Sequence, residues 1–250
     1  MNFKKLGNTD LKVSTICLGT MTWGEQNSQK DAFEQMDYAV DHAINFFDTA
    51  ELYAVPMKPE TRGKTSQIIG EWFSKSKKRN KIILADKVAG RSPMTWLRPK
   101  NEETCLNKKQ IDFAINRSLK DLKTDYIDLL QVHRYYPEYH IEETLGALTD
   151  LIRQGKVRYA GCSTFPPYIL MKAIMLSEMK QFIRFAVEES PYNLLDRRIE
   201  NELVPLALEH GIGIFAWSPL AHGMLVGFLR STTCVIIQTN WDRPPQSPAI

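Results

Sequence analysis

Short apolar runs alternate with amphipathic stretches along most of this 250-residue chain. The runs are rich in β-branched and aromatic residues and apolar on both sides, which predicts strands buried on two faces. They lie at 13–18, 44–47, 82–85, 126–132, 157–161, 185–187 and 212–217. Helical spacing of apolar residues predicts helices between them, at 32–43, 65–76, 111–122, 141–152, 167–178 and 197–210.

Strands of this kind joined by helices form a parallel α/β sheet, either an open doubly wound sheet or a (β/α)₈ TIM-type barrel. No G-x-G-x-x-G follows the first strand, which weakens the case for a dinucleotide-binding open sheet. Polar residues stand where the strands end, and in a barrel they all point into one mouth. These residues are Thr20, Asp48, Lys87, His133, Ser163, Glu189 and Ser218. The barrel is therefore the predicted fold.

The number of β–α units falls short of eight. Seven units use about 230 residues, so we expect one barrel domain at 1–229 that lacks its eighth unit. Residues 230–250 form a separate tail, with one β-like run at 234–238. The turn-forming residues 7–10 predict a small hairpin ahead of the barrel. Unpaired barrel edges would favour self-association.

Charge and cysteine content exclude several classes of protein. A net charge of +3 is too small to indicate nucleic acid as a partner. Residues 211–229 carry no Asp, Glu, Lys or Arg, but their glycines and Ser218-Pro219 argue against membrane insertion. The four cysteines are far apart, which favours isolated thiols over a metal site or disulfides. A cytoplasmic protein is the expectation.

Four polar residues at successive strand ends predict carbonyl chemistry. Tyr53 follows Asp48 in FFDTAELY, while Lys87 and His133 end the next two strands. A lysine beside a tyrosine favours the phenolate, and a carboxylate keeps that lysine charged. A histidine can hydrogen-bond the carbonyl oxygen that receives the proton. Each residue alone also has a structural explanation, as a helix cap, a core aromatic or a core histidine, so the prediction depends on the set.

The chain resembles the aldo-keto reductases, NADPH-dependent (β/α)₈ enzymes, and within them the bacterial Tas-type branch. The resemblance covers residues 1–229. The segments that carry it are GNTDLKVSTICLGTMTWGEQNS, FFDTAELYAVPMKPETRGKTS, LKTDYIDLLQVH, GKVRYAGCS, SPYNLLDR and FAWSPLAHGMLVG. It implies that Tyr53 is the general acid, Lys87 its partner, Asp48 the counter-ion of the lysine and His133 the residue that orients the carbonyl.

The resemblance also implies residues that bind NADP(H) and substrate. Trp217 stacks on the nicotinamide ring, and Trp23 lines the substrate pocket. Apart from the resemblance, Trp23, Tyr53 and Trp96 give the expected pocket an aromatic mouth, which favours apolar or aromatic carbonyls and adds Trp96 to the pocket residues. The residues expected to bind the cofactor are Gly19, Thr20, Met21, Ser163, Thr164, Glu189, Trp217, Ser218, Pro219, Leu220 and Gly223.

The chain departs from the family pattern at three places. Thr164 stands where an asparagine is usual, and Glu189 stands where a glutamine is usual. A carboxylate accepts hydrogen bonds but does not donate them. The family's last strand and helix, which hold the 2′-phosphate, have no counterpart after Leu229. Weak NADPH binding with little preference over NADH is the expected result.

The leading hypothesis is an oxidoreductase that transfers hydride from NADPH to a small aldehyde or ketone. The alternatives are a non-catalytic NADP(H)-binding regulatory subunit and an inactive splice product. A glycosidase using Asp48 and Glu189 is a poor third, because it leaves Tyr53 and Lys87 without a role.

Overall fold

A curled parallel sheet of seven strands is the centre of the computed structural model, which describes residues 1–226. An antiparallel hairpin precedes it, formed by β1 (Phe3–Lys5) and β2 (Lys12–Ser14). The sheet strands follow one another in chain order, each parallel to the next. They are β3 (Cys17–Gly19), β4 (Phe46–Asp48), β5 (Ile83–Val88), β6 (Ile127–Val132), β7 (Val157–Ser163), β8 (Val187–Pro191) and β9 (Gly213–Trp217). The predicted (β/α)-barrel architecture is confirmed.

One α-helix connects each sheet strand to the next. The helices are α1 (Gln29–Asp41), α2 (Lys64–Ser76), α3 (Lys108–Asp121), α4 (Ile141–Arg153), α5 (Pro167–Lys180) and α6 (Leu203–His210). Ser28 begins α1 with a capping box, in which its side chain and that of Asp31 bond each other's backbone N–H. Gly211, at φ +68°, ends α6 in the left-handed conformation that glycine adopts without strain.

Two apolar layers lie on the two sides of the sheet. The larger fills the space between sheet and helices and includes Trp72, Leu130 and Leu148. The smaller lies inside the curl, where Leu11 and Val13 of the hairpin region pack with residues of the sheet. The hairpin reaches the amino-terminal ends of the strands, since Asn8 N donates to Gly211 O at 2.8 Å. The hairpin therefore lies at the end of the sheet opposite the carboxyl-terminal ends of the strands, where the predicted polar residues stand.

Three predicted boundaries are wrong. The run at 13–18 is two strands, because the Ser14 hydroxyl donates to Ile16 O at 2.6 Å and turns the chain between them. The strand predicted at 185–187 begins only at Val187 and continues through buried polar residues that an apolar pattern misses. The helix predicted at 197–210 begins as a short 3₁₀ turn at Arg198–Glu200, and its α-helical part is α6.

The two outer strands of the sheet each have one partner among residues 1–226. β3 pairs with β4 and β9 pairs with β8. The predictions for the 230–250 tail, for a strand at 234–238 and for weakened NADPH binding fall outside the described residues. Self-association through the barrel edges stays a prediction. Of the helices described, none combines the length and apolar character that a membrane crossing requires.

Candidate active site

A buried ion pair joins the carboxyl ends of β4 and β5. Lys87 Nζ lies 2.5 Å from both carboxylate oxygens of Asp48 and donates to Thr49 O at 3.2 Å. Asp48 pairs in register with Ala85, so Lys87 comes two residues later on the same face of β5. Lys87 is 1% exposed and Asp48 7%. The parallel register therefore brings these two predicted residues together.

A second carboxylate contacts the same ammonium group. Glu189 Oε2 on β8 lies 3.3 Å from Lys87 Nζ and accepts a hydrogen bond from Gln131 Nε2 at 2.9 Å. The sequence predicted that Glu189 faces the cofactor, and its pairing with Lys87 was missed. The available signal was a set of polar residues inside otherwise apolar strands, since Lys87, Gln131 and Glu189 all occupy buried strand positions.

Burial and the neighbouring charges shift the pKa values of Asp48 and Lys87. Burial, reinforced by the negative charge of Glu189, raises the pKa of Asp48 to about 7. Burial lowers the pKa of Lys87, but the charges of Asp48 and Glu189 outweigh it and the net direction is upward. Lys87 therefore stays an ammonium ion.

Tyr53 stands on the loop that follows β4, with its ring beside Lys87. Its N–H donates to Ala50 O at 3.0 Å, and Lys87 Nζ lies 5.4 Å from the ring centre. Burial raises the pKa of Tyr53 above its ordinary value, while Lys87 acts in the opposite direction. The sequence predicted a lowered pKa. In this structure burial outweighs the lysine, so the phenol keeps its proton.

His133 completes the group at the carboxyl end of β6. Its backbone N–H donates to Val88 O at 3.0 Å, and its ring meets the Tyr53 ring edge-on, with centres 6.2 Å apart. Burial, with a smaller contribution from Lys87, lowers the pKa of His133 well below its usual value. The imidazole is therefore neutral. Its Nδ1 is buried and has no hydrogen-bond partner within residues 1–226.

A buried Glu51–Arg98 pair, which the sequence did not predict, holds the Tyr53 loop. Both Arg98 Nη atoms donate to Glu51, each at 2.8 Å, and Arg98 Nε donates to Gln110 at 2.9 Å. Glu51 also accepts from Ala89 N at 2.6 Å, and its own N–H donates to Lys87 O. The network ties the loop after β4 to the segment after β5. In the sequence, the signal available for this ion pair was the position of Glu51, two residues before Tyr53.

Ser163 and Thr164 occupy the end of β7 and the turn after it. Ser163 is buried and Thr164 exposed, with their hydroxyl oxygens 3.4 Å apart. Glu188, next to Glu189 but contacting different residues, accepts from Phe165 N at 3.3 Å and from Ser190 Oγ at 2.7 Å. Burial raises the pKa of Glu188 to about 7. Glu188 therefore holds the turn that carries the two hydroxyls.

The segment after β9 presents backbone at the same end of the sheet. Trp217 is partly exposed, and its ring lies 6.2 Å from that of His222. Gly223 has φ +95°, and a Cβ at this position would meet no atom of residues 1–226 within 4 Å. The remaining predicted residues of this segment are Ser218, which is partly exposed, and Pro219 and Leu220, which are exposed.

The residues predicted after β3 divide into two groups. Gly19 and Met21 are exposed at the mouth. Thr20 is buried, and its hydroxyl donates to Asp48 O at 2.8 Å, so it fastens β3 to the strand that carries Asp48.

The prediction that Trp23 lines the substrate pocket is wrong. Its side chain is fully buried in the main core, where Nε1 donates to Gln35 Oε1 at 2.8 Å. An indole enclosed in this way presents no surface to a substrate. Trp96 is partly exposed in the segment after β5, with its carbonyl bonded by Arg62 at 2.5 Å.

Comparison with known proteins agrees with this arrangement. The model of the aldo/keto reductase family matches residues 15–235. The chain belongs to the aldo/keto reductase family. Protein tas of Escherichia coli is 38% identical to it over 91% of this chain and 70% of its own length. The protein named uncharacterized oxidoreductase YrpG of Bacillus subtilis is 39% identical over 91% of this chain and 69% of its own length.

A third similar protein is named for a different role. The probable voltage-gated potassium channel subunit beta of Arabidopsis thaliana is 34% identical over 91% of this chain and 66% of its own length. Family membership and the oxidoreductase among the relatives together support an oxidoreductase role for this reductase-family chain. Small carbonyl compounds suit the family as substrates, and its members generally use NAD(P)H.

Proposed function

We propose that this protein reduces small aldehydes or ketones with NADP(H), and that Tyr53 is the general acid. The observation that carries the proposal is the convergence of four predicted residues at one end of the sheet. Lys87 bonds Asp48 and faces the Tyr53 ring, and His133 lies edge-on to the same ring. A phenol, an ammonium and a neutral imidazole in one buried site suit proton transfer to a carbonyl oxygen.

The residues at the mouth fit a dinucleotide cofactor. Trp217 is partly exposed and offers a ring face, and within the described part of the chain no atom lies within 4 Å of a Cβ built at Gly223. Ser163 and Thr164 offer hydroxyls at the neighbouring strand. When bound, a nicotinamide dinucleotide supplies the hydride. The cofactor set proposed is the one predicted from the sequence, with Thr20 and Glu189 acting through neighbouring residues.

Tyr53 and its neighbours would perform the proton transfer. The raised pKa of Tyr53 keeps its hydroxyl protonated until a substrate oxygen takes the proton. The phenolate left behind is stabilised by the Lys87 ammonium, which Asp48 holds in place. The neutral His133 ring can donate one hydrogen bond to the same oxygen and orient it. Proton transfer of this kind contributes about 10²–10⁴-fold to the rate.

Aromatic side chains at the mouth favour apolar or aromatic carbonyl substrates. With Trp23 in the core, this preference depends on Tyr53 and Trp96 alone.

A non-catalytic NADP(H)-binding regulatory subunit is the second candidate. The observation in its favour is the similarity to the plant potassium channel subunit beta. It requires cofactor binding without turnover, whereas the Tyr53–Lys87–His133 group favours turnover.

Two measurements on the full chain distinguish the candidates. The first is NADPH oxidation with a panel of aldehydes and ketones, and the second is NADPH binding followed by tryptophan fluorescence. We expect carbonyl-dependent oxidation, together with quenching that is reduced in Trp217→Phe. Binding without oxidation of NADPH by any carbonyl would favour the regulatory subunit. No binding at all would contradict both.

A further inference from the structure

Lys87 contacts two carboxylates from opposite parts of the sheet. Asp48 on β4 holds it at 2.5 Å and Glu189 on β8 holds it at 3.3 Å. All three residues are at least nine-tenths buried.

Strands β6 and β7, which lie between Lys87 on β5 and Glu189 on β8, leave space for the Glu189 carboxylate to reach Lys87. Gln131 on β6 pairs in register with Lys87 on one side and with Gly161 on the other. A Cβ at Gly161 would lie 3.1 Å from Gln131 Cγ and 2.9 Å from Val187 O. The missing side chain leaves room for Gln131, whose amide N–H donates to Glu189 at 2.9 Å. Glu189 is therefore fixed by a neutral donor as well as by Lys87.

We propose that Glu189 is a second counter-ion of Lys87 and a positioning residue, which together with Asp48 keeps the ammonium charged beside Tyr53. The proposal rests on the proposed function for its catalytic consequence. Its electrostatic part depends only on the contacts of Lys87.

The reason is that Lys87 is buried and needs an ionised partner, and Asp48 alone does not secure one. Burial raises the pKa of Asp48 to about 7, so this carboxylate takes up a proton more readily than an exposed one. A buried lysine whose only counter-ion is neutralised loses its charge easily, with a pKa that falls by up to about 3–5 units. Glu189 prevents this by remaining in contact with Lys87. Within residues 1–226, the titratable groups that interact with Lys87 or Asp48 include Cys17, Tyr53, Asp86, His133 and Glu189.

The first test measures thermal unfolding, without reference to activity. Lys87→Met removes the cation and leaves Asp48 and Glu189 without their shared partner, so the pKa of Asp48 rises further. A carboxyl group with a raised folded-state pKa loses stability as pH rises from about 4 through that pKa. We expect Glu189→Gln to relieve this at pH 8, raising the melting temperature by about 3 °C more in Lys87→Met than in the parent.

Glu188→Gln provides the matched control, because Glu188 is a buried acid on the same strand that bonds Cys162 and Ser190 instead. Its effect on melting should be the same in both backgrounds. An equal effect of Glu189→Gln in both backgrounds would overturn the proposal.

The second test retains Lys87 and follows carbonyl reduction against pH. Asp48→Asn and Glu189→Gln each leave one counter-ion, so we expect each to stay within about 10-fold of the parent rate. The double variant should lose about 10²-fold more than the product of the two effects. Its rate should also decline at a lower pH than that of the parent, because burial without a counter-ion lowers the pKa of a lysine.

The two experiments test the pairing of Glu189 with Lys87 separately from the proposed carbonyl reduction. Additive losses, or a full loss with a new alkaline decline in Asp48→Asn alone, would show that Glu189 does not support Lys87. A parent without carbonyl reduction would contradict the proposed function, while the melting experiment would still decide whether Glu189 pairs with Lys87.

Discussion

Lys87 is the residue on which the other charged groups of the site depend. It contacts Asp48 and Glu189 and faces Tyr53 and His133 from a position with 1% exposure. Since desolvation raises the pKa of the partly buried Tyr53, the phenolate that remains after proton transfer is costly without a nearby cation. Lys87 lowers the pKa of Tyr53, against the effects of burial, Asp48 and Glu189.

The double substitution Lys87→Met/Tyr53→Phe tests this dependence. Both side chains act on one proton transfer, so we expect each single variant to lose about 10²–10⁴-fold in rate and the double variant to lose no more than the worse one. Steady-state rates with one aldehyde measure it. A double loss close to the product of the single losses would show that the two residues act separately.

The sequence was enough to predict the site residues at strand ends. It was not enough for residues whose positions depend on contacts with parts of the chain that are distant in sequence. Asp48, Lys87 and His133 follow buried strands, and a parallel sheet gathers such positions at one end. Trp23 was misplaced because its partners, among them Gln35 on α1, are not adjacent in sequence. The contact of Glu189 with Lys87 was not predicted because alternation assigns a residue to a face only when the limits of its strand are known, and the sequence pattern places the start of β8 two residues early.

At the scale of elements, a buried ion pair between Glu51 and Arg98 joins the loop after β4 to the segment after β5. The Arg98 side chain has no exposed surface and that of Glu51 is 6% exposed, and their two hydrogen bonds are parallel and bidentate. The loop also follows β5 through backbone bonds, since Thr49 N donates to Ala85 O and Glu51 N to Lys87 O. These contacts set the approach of Tyr53 to Lys87.

Arg98→Met should therefore destabilise the protein strongly. It leaves the Glu51 carboxylate buried without its cation, which costs about 3–5 kcal/mol of unfolding free energy. Urea unfolding measures the loss. The control is Arg91→Met, which removes a pair with Glu138 whose side chains are 50% and 58% exposed, and we expect a loss below about 1 kcal/mol. Comparable losses for the two variants would contradict a structural role for the buried pair.

Element order was easier to predict from the sequence than element ends. Alternation of apolar runs and helical stripes indicated all seven sheet strands and six helices in the right order. The split of the first run depends on a side-chain bond from Ser14 to Ile16, and the 3₁₀ turn before α6 depends on local backbone geometry. Neither the Ser14 bond nor the 3₁₀ turn produces a periodic pattern of apolar residues by which the sequence could reveal it.

At the scale of the whole molecule, the amino-terminal hairpin is packed against the starts of the last strands. Gly7 has φ +58°, and a Cβ there would lie 2.4 Å from Gly213 N and 2.5 Å from Ala186 O. Leu6 and Leu11 beside it are buried with Phe46 and Val187 inside the curl. The hairpin therefore covers the inner layer at the end opposite the site.

Gly7→Ala tests this packing. Both backbone conflict and positive φ oppose the new methyl group, so we expect a loss of more than about 2 kcal/mol in unfolding free energy. Gly155→Ala is the matched control, because Gly155 has φ +73° but a Cβ there meets nothing within 4 Å. It should lose only the conformational cost of about 1 kcal/mol. Equal losses would mean that the close approach of the hairpin contributes nothing.

The central claim is that Tyr53 supplies the proton in a carbonyl reduction. The most direct measurement combines single-turnover NADPH oxidation with the NADPH dissociation constant, for the parent and Tyr53→Phe. Since the hydroxyl gives the proton but does not hold the cofactor, we predict a rate lowered by about 10²–10⁴-fold and a dissociation constant within about twofold. A variant that oxidises NADPH at nearly the parental rate would contradict the assignment of Tyr53 as the acid.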